Sequence, residues 1–216
     1  MALMILDPTI EKQVKAEREA SGLDRYDEVW EGVYMMAPLA NNEHQDLQMN
    51  LAAALRNALG WETSARVHAG ANVSDREGGW LHNYRIPDVV VVFPGSAARD
   101  CDTHWCGGPD FCVEIASPGD RSRDKVEFYA GIGVRELLLV DRDPWSLELL
   151  RLSGRQLKTV GRSDGTDLVS IESTVLPVSF RMTSGPSQTL SRPLTGGASR
   201  PVVEVVHRDA VQRWTV

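Results

Sequence analysis

Four consecutive stretches decide the fold: RIPDVVVVF at residues 85–93, PDFCVEIASP at 109–118, GDRSRDKVEFY at 119–129 and RELLLVD at 135–141. Ile86 to Phe93, Phe111 to Ala116 and Leu137 to Val140 are apolar without alternation, as strands covered on both faces read. In Ile86 to Phe93 the β-branched content decides for strand over buried helix. Pro118-Gly119 breaks the second strand, and Asp120 is placed to cap a helix that ends near Gly131 or Gly133. Asp88 thus stands at the mouth of one strand, Glu114 inside the next, and Lys125 at the head of the helix.

The flanking sequence adds helices and hairpins. Asp7-Pro8-Thr9 opens a mostly polar surface helix that Gly22 closes. Trp30 to Met36, with Gly32 inside, reads as a hairpin of short strands. Asn41 or Asn42 caps a stronger helix, in which Leu47, Leu51, Leu55 and Leu59 recur every four residues beside Ala54 and Ala58. Gly60 ends it. Trp61 to Val73 reads as extended, Asp75 to Asn83 as a turn, and Pro94 to Pro109 as a long polar loop. Ser146 to Leu152 and Gln156 to Val160 form a hairpin around Gly154. The expected class is α/β or α+β: a mixed sheet flanked by helices, with added hairpins.

After Arg181 the composition shifts to Ser, Thr, Gly and Pro. This predicts a main domain over 1–181, a linker or mobile loop over 182–200 and a terminal β-hairpin over 201–216. A lone hairpin is marginal in water, so it docks on the main body or on a second copy, which allows a homodimer.

The chain has 216 residues, 42% hydrophobic and 25% charged, as in ordinary globular proteins. It has no run of ~18 apolar residues, so no membrane span is expected. The start MALMILDP lacks the basic and long apolar segments of a signal peptide, which predicts a cytoplasmic protein. Three cysteines fit a reducing compartment better than a disulfide framework. Cys101, His104 and Cys106 are spaced too tightly for two separated zinc-ligand pairs, so ordinary thiols are favoured over a structural zinc. The net charge of −7 argues against tight, indiscriminate binding to duplex DNA. The charge is uneven, with +4 on residues 151–216 and −11 on the first 150.

Two carboxylates on neighbouring strands and a nearby ammonium form a minimal site for holding Mg²⁺ or Mn²⁺ against a phosphodiester. Glu114 is the sharpest signal, because a carboxylate inside an apolar strand needs a metal or a salt-bridge partner. Asp88 alone reads equally as a surface residue at a strand start. Lys125 shares the helical stripe of Phe128, Tyr129 and Ile132, and reads either as a site residue or as a snorkelling lysine. Glu43 and His44 lie in the first turn of the leucine-striped helix, and an inward His44 is more often structural than catalytic. Arg121 and Arg123 are placed to contact phosphate or to solvate the helix start.

The series EGVYMMAP (31–38), EHQDL (43–47), RIPDVVVV (85–92), FCVEIASP (111–118) and DKVEFYAGIGVRELLLVD (124–141) resembles the Uma-two family of restriction endonucleases, within the PD-(D/E)XK nuclease superfamily. The resemblance covers about residues 25–152. It implies a central mixed sheet flanked by helices, with Mg²⁺ at the edge of its middle strands. It also implies Asp88 and Glu114 as metal ligands, Lys125 as their catalytic partner and Glu43 or His44 in support. The superfamily lysine stands two residues after the second acid. Here Ala116 occupies that place, so Lys125 must substitute from the helix. The expected function is a Mg²⁺-dependent endonuclease that binds nucleic acid, DNA above all, weakly. The alternative is an inactive binding or assembly module on the same fold.

Overall fold

The computed structural model describes residues 3–117, 119, 121–166, 169–184, 201–209 and 212–216. Strand β1 (Leu3–Ile5) leads into helix α1 (Pro8–Ser21). Asp7 caps α1 by accepting from the amides of Thr9 and Ile10, and left-handed Gly22 ends it. No α1 residue is buried, as its polar sequence predicts. The expected hairpin is β2 (Glu28–Trp30) and β3 (Val33–Met36). Helix α2 (Asn42–Leu59) is capped by Asn41 and buries Leu47, Leu51 and Leu55.

The extended run expected over 61–73 breaks into β4 (Arg66–Ala69) and β5 (Val73–Ser74). A turn in which Thr63 donates to the Gly60 carbonyl shortens its start, and left-handed Gly70 interrupts it. Strands β6 (Tyr84–Arg85) and β7 (Val89–Val92) follow. The long polar loop contains a small hairpin, β8 (Arg99–Asp100) and β9 (Trp105–Cys106). Strand β10 (Phe111–Ala116) has the bounds expected from its apolar run. Asp120 lies outside the described residues. The chain then makes a 3-10 turn (Ser122–Lys125) before α3 (Val126–Ile132), so Lys125 stands at a junction rather than inside a regular helix. Strands β11 (Glu136–Arg142), β12 (Trp145–Ser153), β13 (Gln156–Ser163), β14 (Ile171–Glu172), β15 (Val178–Ser184), β16 (Pro201–His207) and β17 (Arg213–Thr215) complete the fold.

The central sheet has the order β13-β12-β11-β10-β7-β4. β10 and β11 are parallel and the remaining pairs antiparallel, so the sheet is mixed. Both faces are covered. Val89, Val91, Phe111, Val113 and Ile115 pack with the α2 leucines, whereas Val90, Val92, Cys112, Leu137 and Leu139 pack with Tyr129 and Ala130 of α3. Alternate residues serve opposite cores, which explains why the sequence shows no alternation. Each large buried side chain contributes about 1.5–3 kcal/mol. A Cβ on Gly108 would lie 2.3 Å from the Gly133 carbonyl carbon. Only glycine lets the loop before β10 approach the end of α3 so closely.

A seven-stranded sheet, β1-β3-β2-β6-β5-β9-β8, lies beside the first. The terminal segment joins a four-stranded sheet, β14-β15-β16-β17, whose Phe180, Met182, Val203 and Val205 enter the α2 core. The division expected at residue 181 falls within β15, because composition marks the polar segment and not the limit of the sheet. Residues 185–200 of the expected linker lie outside the described residues. No helix among the described residues is long and apolar enough to cross a membrane.

Candidate active site

Asp88 follows Pro87 at the start of β7. Its carbonyl accepts from Gln48 of α2 at 2.9 Å and from the Gly70 amide at 2.9 Å. Its Oδ2 accepts from the Ile115 amide of β10 at 2.6 Å. These contacts fix the carboxylate against the neighbouring strand. Glu114 projects from the middle of β10 and is 2% exposed. The Lys125 ammonium lies 2.9 Å from its Oε2 and 3.1 Å from its Oε1, and the Tyr129 hydroxyl donates to Oε1. Lys125 and Tyr129 are four residues apart, one helical turn on the same face.

His44, in the first turn of α2, places Nε2 3.2 Å from Asp88 Oδ1. Its Nδ1 is buried without a hydrogen-bond partner among the described residues. His44, Asp88, Glu114, Lys125 and Arg121 all line one cavity of about 130 Å³.

The electrostatics follow from burial and crowding. Desolvation pushes the Glu114 carboxyl up to about 8, against the pull of Lys125 and with added repulsion from Asp88 and Glu28. Burial works against the charge on Lys125, but Glu114 and Glu28 outweigh it and hold the ammonium above the ordinary lysine range. Burial, and then Glu114, raise Tyr129 well above its usual value, which keeps the phenol a donor.

Residues 18–183 match the model of the Uma2 family, described as "Putative restriction endonuclease". The chain belongs to the Uma2 family. One solved structure to which it is similar is "a putative nuclease belonging to DUF820" from Anabaena variabilis ATCC 29413. That likeness has 19% identity and a TM-score of 0.53, covers 68% of this chain and 81% of the other, and shows a shared fold. No curated protein matches the chain.

Within this Uma2 chain, the other residues singled out from sequence pair with groups other than the two acids. Glu43 does not line the cavity; its carboxylate accepts from Arg142 Nη1 at 3.0 Å. Arg121 stands at the cavity wall, 2.6 Å from Asp124 and 5.3 Å from the Trp30 ring. Arg123 donates to Glu148 at 2.7 Å and to Asp141 at 2.6 Å, away from the cavity. This pairing anchors the 3-10 turn to β11 and β12. In the cysteine cluster, His104 stacks on Trp80, and its ring nitrogens face Arg76 O and Thr103 Oγ1. Among the described residues, no group of three or more His, Cys, Asp or Glu side chains is arranged to hold a metal ion.

Sequence reasoning missed Glu28. Its Oε1 lies 2.8 Å from the Lys125 ammonium and accepts from the Ile86 amide at 2.8 Å. Its Oε2 accepts from the Trp30 indole at 2.6 Å. A glutamate in a short hairpin strand carries no local signal of a partner almost one hundred residues away. Tyr129 was visible through its helical spacing from Lys125, but not as a donor to Glu114.

Proposed function

We propose that this chain is a Mg²⁺- or Mn²⁺-dependent endonuclease of the PD-(D/E)XK type that hydrolyses phosphodiester bonds in DNA. The observation that carries the reading is the meeting of Asp88, Glu114 and Lys125 in one cavity. Two carboxyl groups, those of Glu114 and Glu28, face one ammonium there, and a third, that of Asp88, lines the same cavity. That excess of acid suits a divalent cation. Mg²⁺ needs only one or two carboxylates, because water and substrate phosphate complete its shell. Asp88 and Glu114 would hold it.

The bound cation supplies a nucleophilic water near neutral pH and polarises the phosphoryl oxygen. Lys125 stabilises the charge that develops on the phosphate. Tyr129 orients the Glu114 carboxylate, and His44 orients that of Asp88. Arg121, at the cavity wall, is the phosphate contact of the pair expected from sequence, since Arg123 is engaged by two carboxylates. The basic residues of the C-terminal third add phosphate contacts. The acidic body makes binding weak and steeply dependent on salt.

The test is cleavage of single-stranded, duplex and branched DNA at low salt with Mg²⁺ or Mn²⁺. Identically purified Asp88→Asn and Glu114→Gln proteins and an EDTA control expose any contaminating nuclease. Slow, metal-dependent cleavage that both variants lose supports the reading. No cleavage on any substrate, or cleavage surviving in the double variant, replaces it with a non-catalytic binding module.

A further inference from the structure

We propose that Glu28 is the positioning residue of this site, fixing the Lys125 ammonium against Glu114; the proposal rests on the endonuclease reading above. A lysine carried by β10 itself would have its origin set by the strand backbone. Ala116 occupies that position, and Lys125 instead comes from a 3-10 turn that follows a break in the strand. Its long side chain has many rotamers, so one contact to Glu114 leaves the ammonium free to swing about that carboxylate. A second fixed acceptor from another direction removes this freedom. Glu28 supplies it from β2, in the other sheet.

Glu28 is built for the task. It is 5% exposed, and both of its oxygens are already oriented by donors, the Ile86 amide and the Trp30 indole. Trp30 is held in turn by the Arg85 guanidinium, 4.6 Å from the ring centroid, and that guanidinium also lies 4.2 Å from the Phe128 centroid. The carboxylate therefore cannot drift, and the ammonium 2.8 Å away is held by a rigid acceptor. Were Glu114 to hold a cation, Glu28 would still keep Lys125 in place. Charge neutralisation alone would not require these anchors.

Two readouts test this. In protein labelled with ¹⁵N at lysine Nζ, NMR should show a slowly exchanging ammonium signal that Lys125→Met removes. Glu28→Gln should speed its exchange by about ten-fold or more, the equivalent of one lost charge-assisted hydrogen bond. Glu28→Asp should restore part of the protection. No protected signal in the wild type, or an unchanged one in Glu28→Gln, overturns the proposal. In cleavage assays, Glu28→Gln should lower kcat by about ten- to a hundred-fold with little change in KM. It should add nothing in the Lys125→Met background. An equal loss in both backgrounds would show that Glu28 acts otherwise than through Lys125. If the wild type cleaves no substrate, the endonuclease reading fails, and the ammonium signal alone decides whether Glu28 holds Lys125.

Discussion

The Lys125 ammonium lies 2.9 Å from Glu114 Oε2, although the strand position two residues after Glu114 is filled by Ala116. The helix side of the strand break delivers the charge that the strand lacks. The acid and the ammonium are thereby held by separate elements, so their roles can be separated by substitution.

Lys125→Ala should reduce DNA cleavage by about a hundred-fold or more, the scale for loss of a preorganised charge at the transition state. Metal affinity should fall little, because the two carboxylates remain. Single-turnover cleavage combined with Mn²⁺ titration checks both. Loss of metal binding instead of chemistry would place Lys125 in a structural role.

Glu114→Gln should weaken Mn²⁺ or Mg²⁺ binding by at least about ten-fold, because a hard cation loses a charged oxygen ligand. Titration calorimetry on the wild type and the variant measures this directly. Equal affinities would mean that Glu114 serves Lys125 and Tyr129 alone.

Glu148 gives a stability prediction away from the cavity. Burial works against its charge, but hydrogen bonds from Thr159, Arg123 and Arg162 outweigh burial and hold its carboxyl near 2. A folded-state value below the unfolded one means stability that is present above about pH 4.5 and lost as pH falls toward 2. Glu148→Gln should therefore cost about 2 kcal/mol at pH 7, and the gap to wild type should narrow below pH 4. Urea unfolding at several pH values checks this; a gap independent of pH would assign the loss to packing.

Truncation after Arg181 should destabilise the whole fold. It cuts within β15 and removes β16, whose Val203 and Val205 are fully buried in the α2 core. Each loses about 2 kcal/mol of burial. A chain nicked between residues 185 and 200 should instead hold together, because the strand pairing survives. Thermal unfolding and size-exclusion chromatography of both forms separate the two outcomes, and a truncated protein as stable as wild type would make the terminal sheet dispensable.

Gly108→Ala should lower stability by about 2 kcal/mol or more, because its Cβ would meet the Gly133 backbone, which has no flexible side chain to yield. Since that contact seats α3, the variant should also disturb Lys125. Thermal unfolding together with the ammonium signal checks both effects.

Much of the fold was legible in the chain because it depends on local pattern. The four-residue leucine repeat gives α2, and Asn41 and Gly60 bound it. The continuous apolar runs around Asp88 and Glu114 give strands covered on both sides. Glu114 stood out because a carboxylate within such a run demands a partner. The short strands β8 and β9 escaped notice, since two-residue pairings leave no periodicity.

By itself, then, the sequence determined the elements, the double coverage of the central strands and the pair of acids beside them, because hydrophobic period and capping act over a few residues. Tertiary structure alone decided that Glu28 of β2 meets Lys125, that His44 reaches Asp88, that Arg123 turns to Glu148 and Asp141, and that β16 completes a core shared with α2. These relations join residues far apart in the chain. They are fixed by how sheets and helices pack, which no local pattern encodes.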